Sequence, residues 1–283
     1  MTHAFEFLKL EDLPPKPRTR GIIEMRGSYY TPVVYPYLKG LLDIADEYID
    51  GFKWAGGSMR LHPVKEVKRI NALCHEHDVY VSTGGFVERV IVEGKAAVDR
   101  YFAEAKKLGF DMVELSNGLA PIPLEDMLAM VRAVRKLGMK PKPEISFMSG
   151  AGAGTHIKDY KPQYKREQDV FAEIDGYLKE GVELMMFESE GITEDLPGGE
   201  WRTDLIKKVT DRYGFERFMF EASDPQVFKW YLRNFGPGVN LFIDHSQVID
   251  LFIDHSQVIE FQAWRSHLWG DRRIWEGKSV RYR

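Results

Sequence analysis

The chain has 283 residues, of which 44% are hydrophobic and 29% charged, with 39 basic against 43 acidic side chains and a net charge of −4. Interspersed charge of both signs argues against a general nucleic-acid surface, and no run of about 18 consecutive apolar residues offers a membrane-spanning helix. The single cysteine, Cys74, excludes an intrachain disulfide and fits a reducing compartment. Met1 to Lys16 mixes charges into its apolar residues, with no signal-peptide core, so the expected location is cytoplasmic.

Residues 1–19 read as an arm, stiffened by Pro14, Pro15 and Pro17. Gly21 to Gly27 is a first strand. A helical pattern follows from about Val33 to Tyr48, with Leu38, Leu41, Leu42 and Ala45 as its apolar stripe. Phe52 to Ala55 is a second strand, closed by Gly56-Gly57-Ser58. A helix from Pro63 to about His77 comes next, and Cys74 shares a face with Val67, Ile70 and Leu73, which gives it a packing role. Val79 to Gly85 is the third strand, and Lys95 to Leu108 a helix with Val98, Tyr101, Phe102 and Ala105 on one face.

From there the punctuation is regular. Gly109, Gly138, Gly181 and Gly214 each end a helix and begin a strand, as glycine after a helix C-terminus does. Pro123 and Pro225 sit at helix starts, with Asp224 as a candidate N-cap. The remaining strands are Phe110 to Gly118, Pro143 to Ser146, Met185 to Glu190, Phe218 to Ala222 and Val239 to Asp244. Strands alternating with helices imply parallel pairing and right-handed crossovers, and the count predicts a single-domain (β/α)8 barrel over residues 20–270, with an open doubly wound sheet as the alternative. No Gly-x-Gly-x-x-Gly follows the first strand to support a dinucleotide site. Residues 271–283 form a basic tail, solvated or docking against another subunit. Leu241 to Asp250 is repeated almost letter for letter as Leu251 to Glu260, so only one copy can supply the eighth strand.

In a parallel barrel the chemistry lies at the C-terminal ends of the strands. Glu114, Glu144, Glu188 and Glu221 each sit there on a short apolar strand. Buried carboxylates that converge want a cation or a shared proton, and oxygen ligands suit Mg2+. The bland alternative is that some of these glutamates form interior ion pairs with Lys53, Arg26 or Lys142. The same end gathers Arg26, Lys53, Ser58, Gly84, Gly85, Glu88, Ser116, Asn117, Glu190 and Asn240. Lys53 is read as an anion clamp, with a Schiff-base lysine as the sharper option. Gly84-Gly85 and the glycines of residues 150–154 could expose backbone amides to an anion. His156 and His245 follow strands and are candidates for proton transfer, whereas His75 and His77 read as surface residues.

These motifs resemble a known family. Lys16-Pro17-Arg18 with Gly21, Tyr48 to Lys53, Gly84-Gly85 with Glu88, Glu114 to Gly118, Phe220-Glu221-Ala222, Val239-Asn240-Leu241 and Leu268 to Asp271 together look like phosphosulfolactate synthase. The resemblance runs from about Lys16 to Asp271 and implies a Mg2+-dependent barrel, oligomeric, that adds sulfite to phosphoenolpyruvate. On that reading Lys53, Glu114, Glu188 and His245 are catalytic. Arg26, Ser58, Gly84, Gly85, Ser116, Asn117 and Asn240 bind small anionic substrates, and Glu114, Glu144, Glu188 and Glu221 hold the metal. The chain departs from the family pattern in three places. Phe147 stands where a lysine follows the fifth-strand glutamate, Glu188-Ser189-Glu190-Gly191 has no arginine, and Met25-Arg26-Gly27 replaces an acidic strand end. It is similar in this to plant heat-stress-associated relatives. A barrel enzyme acting on another carboxylate, or a non-enzymatic stress-associated protein, remains an open alternative.

Overall fold

A computed structural model describes residues 4–8, 13–27, 34–118, 122–149, 163–194, 196, 199–222, 225–243 and 265. The barrel strands are β1 (Ile23–Arg26), β2 (Gly51–Lys53), β3 (Tyr80–Ser82), β4 (Met112–Leu115), β5 (Lys140–Ile145), β8 (Met185–Phe187), β9 (Phe218–Ala222) and β10 (Asn240–Ile243). They close in the order β1-β10-β9-β8-β5-β4-β3-β2, every neighbouring pair parallel. Between β5 and β8 lies a short antiparallel ribbon, β6 (Met148–Ser149) with β7 (Gln163–Tyr164). The expected barrel is present, and closure rules out the open sheet.

Helices α1 (Tyr35–Ala45), α2 (Val64–Glu76), α3 (Val87–Ile91), α4 (Lys95–Leu108), α5 (Leu124–Lys136), α6 (Glu167–Lys179), α7 (Thr203–Tyr213) and α8 (Pro225–Phe235) surround it. α1 is shorter than its apolar stripe predicted: the chain tightens into a 3-10 turn over Asp46–Tyr48 before β2. Gly109 ends α4 in the left-handed region at φ 87°, the conformation for which a residue without Cβ is needed. Cys74 is fully buried on α2, and burial pushes its thiol up to about 12, which makes it a packing residue.

Period-two alternation splits the strands. Ile23, Met25, Val81, Val113, Leu115, Phe187, Phe220 and Leu241 belong to the large core between barrel and helices. The opposite face fills the barrel, beginning with an apolar floor of Ile22, Met186, Met219 and Phe242 against Tyr80 and Leu184. Above and beside it the interior residues become charged: Glu24 and Arg26 on β1, Lys53 on β2, Glu114 on β4, Lys142 and Glu144 on β5, Glu221 on β9, all buried. β5 pairs with β8 only from Glu144 onward. Lys140 donates its N–H to Asp111 on the β4 side, so Pro141 and Pro143 face β8 and withhold their donors there.

At the strand N-termini the arm is pinned: Arg18 pairs with Asp50 at 2.8 Å, and Asp50 also accepts the Ile23 N–H at 2.8 Å. Of the tandem repeat, the first copy supplies β10 through Leu241, Phe242 and Ile243. Its remainder and the second copy lie outside the described residues, as do Asp224, residues 150–154, His156, His245 and the 271–283 tail. Among the described residues no helix is long and apolar enough to cross a membrane.

Candidate active site

The C-terminal mouth of the barrel is rich in carboxylates, and how each is compensated determines what the site can do. Glu114 is committed to lysines. Its Oε1 lies 2.8 Å from Lys53 Nζ and its Oε2 lies 3.1 Å from Lys142 Nζ, while Lys142 Nζ is 2.5 Å from Glu24 Oε1. Glu24 and Lys142 are wholly buried, so a chain of alternating charge runs from the barrel centre to the mouth. Burial would raise the Glu114 carboxyl, but Lys53 and Lys142 outweigh it and hold the group below its ordinary value. Burial would likewise lower Lys53, and the carboxylates of Glu114, Glu221 and Glu24 raise it instead, so it stays an ammonium. A permanent cation of this kind suits an anion clamp and does not suit a Schiff-base amine, which must lose its proton. Lys53 also lies 3.9 Å from the centre of the Phe242 ring, a cation–π contact. Arg26, its register partner on β1, is buried beside it.

Glu144 and Glu188 are held differently. Glu144 is pushed up to about 8 by burial, then by the charges of Glu88 and Glu114, and its Oε1 is buried with no hydrogen-bond partner. Ser116 Oγ donates to Glu88 Oε1 at the same place. Glu188, just past β8, is only half-buried by surface yet enclosed by protein at the mouth. Burial and the charges of Glu144 and Glu190 hold it well above its ordinary value. Ser189 ties it to Glu221, its N–H reaching Glu188 Oε1 at 3.0 Å and its Oγ donating to Glu221 Oε2 at 3.1 Å. Among the described residues no group of three or more metal-ligating side chains is drawn together. Mg2+ takes one or two protein carboxylates and completes its shell with water and substrate, so one or two of Glu144, Glu188 and Glu221 would be chemically suitable donors.

Gly84 and Gly85 bring backbone against this cluster. Gly84 has φ 61°, and a Cβ there would meet the Trp54 carbonyl oxygen at 2.5 Å; at Gly85 it would meet Ser116 Cβ at 2.8 Å. Ser58, in the 3-10 turn Ala55–Leu61, and Ser82, at the end of β3, have buried hydroxyls with no hydrogen-bond partner. Unsatisfied buried donors beside a site are what a substrate oxygen would complete.

Asn240 is not part of this mouth. It opens β10 at the opposite end of the barrel, where its Oδ1 accepts the Ile22 N–H at 3.0 Å and its amide donates to the Glu216 and Phe218 carbonyls at 2.9 and 3.2 Å. Assigning the whole strand to the mouth misplaced it, because only residues at a strand's C-terminal end reach the site. His75 is exposed as expected and paired to Asp111 at 2.7 Å, whereas His77 is half-buried, held by Asp46 at 2.9 Å.

Two participants were missed. Glu24 is legible in hindsight from the alternation Ile22, Glu24, Arg26. Lys165 carries no such signal: it follows β7, and its Nζ reaches Asn117 Oδ1 at 3.3 Å and Glu173 on α6 at 3.1 Å.

The sequence profile of the (2R)-phospho-3-sulfolactate synthase family matches residues 11–252. The chain belongs to this family. Two relatives illustrate its range. Protein HEAT-STRESS-ASSOCIATED 32 of Arabidopsis thaliana is 34% identical over 86% of this chain and 88% of its own. Phosphosulfolactate synthase of Methanothermobacter thermautotrophicus is 26% identical over 84% and 89%. Among solved structures, 3-keto-L-gulonate-6-phosphate decarboxylase from Vibrio cholerae superposes with a TM-score of 0.53 at 10% identity, covering 89% of this chain and all (100%) of that one. At such identity the likeness speaks for the barrel alone.

Proposed function

We propose that this member of the phosphosulfolactate synthase family is a Mg2+-dependent lyase that adds sulfite to phosphoenolpyruvate, giving (2R)-phosphosulfolactate. The observation that carries the reading is the division of the mouth into two halves. On one side Glu114 keeps Lys53 charged beside Arg26. On the other, burial and neighbouring carboxylates drive Glu144 and Glu188 toward the protonated form, with Glu221 tied to Glu188 through Ser189.

Mg2+ held by one or two of Glu144, Glu188 and Glu221 would supply Lewis-acid stabilisation of charge on the substrate carboxylate. In the addition the sulfur lone pair forms the bond to the methylene carbon, the C2=C3 electron pair moves toward the carboxylate, and C2 takes a proton. Lys53 and Arg26 offset the charge that grows on the carboxylate, and Glu114 fixes Lys53 in place for that task. The hydroxyls of Ser58 and Ser82 offer donors to substrate oxygens, and the absence of side chains at Gly84 and Gly85 lets their loop pack directly against Trp54 and Ser116.

The test is to incubate purified protein with phosphoenolpyruvate, sulfite and Mg2+ and follow product by mass spectrometry, with EDTA and Lys53→Gln as controls. Metal-dependent phosphosulfolactate that disappears in Lys53→Gln is the expected result. No product from a folded, Mg2+-binding protein would refute the substrate pair. Phe147 in place of a lysine after the fifth-strand glutamate, and no arginine in Glu188-Ser189-Glu190-Gly191, favour a second reading, a barrel enzyme of the same metal chemistry acting on another carboxylate. Turnover of such a carboxylate with no use of sulfite would be its signature.

A further inference from the structure

The charge balance of the mouth leaves a deficit for any substrate that arrives as an anion. Lys142 is consumed by Glu24 and Glu114, and Lys53 faces Glu114. Among the described residues, Arg26 is the remaining buried cation of the strand ends, set against Glu88, Glu144, Glu188 and Glu221. An incoming oxyanion needs a cation with a donor to spare, and Lys165 has that property.

The position of Lys165 is built from several directions. Its N–H bonds to the Phe147 carbonyl at 2.9 Å, which fixes the backbone just beyond the C-terminal end of β5. The preceding Tyr164 pairs with Met148 in the ribbon. Its ammonium lies 3.3 Å from Asn117 Oδ1 and 3.1 Å from Glu173 Oε1, and its side chain is 14% exposed. Asn117 is itself buried and directly follows Ser116, the residue bonded to Glu88. Both Glu173 oxygens lie within reach, at 3.1 and 3.2 Å, but they are too close together to take separate N–H groups and share one; with Asn117 on a second, one N–H direction remains for a ligand. Burial raises the Glu173 carboxyl above its ordinary value, and Lys165 and Asn117 oppose the change.

We infer that Lys165, held by Asn117 and Glu173, is an oxyanion-binding residue of the mouth and takes the phosphate of the phosphoenol substrate or the incoming sulfite. The inference rests on the reading above that the substrates are anionic. A lysine serving only to tie the ribbon to α6 would affect stability and leave substrate affinity alone.

The experiment compares wild type, Lys165→Gln and Lys165→Arg. Direct titration calorimetry with phosphoenolpyruvate and with sulfite is followed by steady-state kinetics, and thermal melts check folding. Lys165→Gln is expected to weaken one of the two anions about tenfold or more, with KM for that substrate rising and kcat falling less, and Lys165→Arg to restore most of it. Which anion weakens identifies the group held. Equal affinity for both anions in wild type and Lys165→Gln would overturn the inference, as would absence of anion binding by wild type. Should Lys165→Gln melt far below wild type, the titrations are run at a temperature where it is folded: affinities there equal to wild type for both anions overturn the inference, and a loss that Lys165→Arg restores supports it. The reaction reading fails separately: wild type that binds phosphoenolpyruvate through Lys165 but forms no product would refute the reaction and leave the inference standing.

Discussion

Lys142→Met tests whether the barrel centre is organised by charge. Lys142 is wholly buried between Glu24 at 2.5 Å and Glu114 at 3.1 Å. Methionine keeps roughly the same length and removes the ammonium. Glu114 retains Lys53 at 2.8 Å, whereas Glu24 loses the ion pair that the structure gives it. Breaking a buried pair on one side costs about 3–5 kcal/mol, because a carboxylate is stranded in a medium that solvates it poorly. For a chain of this size about 2–4 °C of Tm accompanies each kcal/mol, so the melt should fall by on the order of 10 °C. The double variant Glu24→Met/Lys142→Met removes both charges and fills the space with apolar atoms. It should recover most of the loss, since replacing a buried pair by hydrophobic groups is often neutral or better. Urea denaturation of wild type, both single variants and the double variant completes the cycle and gives the coupling energy. A Lys142→Met loss below about 1 kcal/mol, or a double variant as unstable as the singles summed, would refute the account.

The raised Glu144 carboxyl makes a signed pH prediction. Its value in the fold, about 8, lies above the ordinary 4.5, so the folded state holds this proton more tightly. The stabilisation is complete below about pH 4.5 and is lost as pH rises toward 8; in EDTA, Glu144→Gln should flatten the wild-type fall in Tm across that window, and parallel curves would refute it. Mg2+ binding near pH 7 should release protons, seen as a dependence of calorimetric heat on buffer ionisation enthalpy, and Glu188→Gln or Glu221→Gln should weaken the ion by roughly tenfold or more, worth about 1.4 kcal/mol. Unchanged affinity in both variants would remove them from the metal site. Gly84→Ala places a Cβ 2.5 Å from the Trp54 carbonyl oxygen at φ 61°. It should cost stability by about 1–3 kcal/mol in urea denaturation, and a neutral result would show that the loop relaxes freely.

How much of this was legible in the sequence depends on the range over which each signal acts. Strand and helix identity came from local alternation and glycine punctuation, so the barrel and α4 emerged with their boundaries nearly intact. Glu114, Glu144, Glu188 and Glu221 were readable because each ends a short apolar strand, a local pattern with one geometric outcome. Asn240 was misplaced because alternation says which face a residue takes and does not say how far along the barrel it lies. The division of labour among the glutamates was not legible at all. Glu24 and Lys142 are 118 residues apart, and their pairing exists only once the barrel closes. The possibility of interior ion pairs with Lys142 was visible, but which glutamate would be taken depended on the stagger of β4 against β5.

Lys165 carries the same lesson toward function. Read along the chain, the family lysine after the fifth-strand glutamate is replaced by Phe147, and the site looks short of positive charge. Read in space, the main chain returns through β7, bonds to the Phe147 carbonyl and sets a lysine against Asn117. A barrel mouth is assembled from loops as well as strand ends, and charge lost at one position of the sequence can be supplied from another at the same point in space. What selection would act on is the electrostatic sum at the substrate. Phe147 itself offers no way to move the cation back: it is 1% exposed and packs against Phe187 in the core between barrel and helices, where an ammonium would be stranded, so the loop is the place from which charge can be supplied.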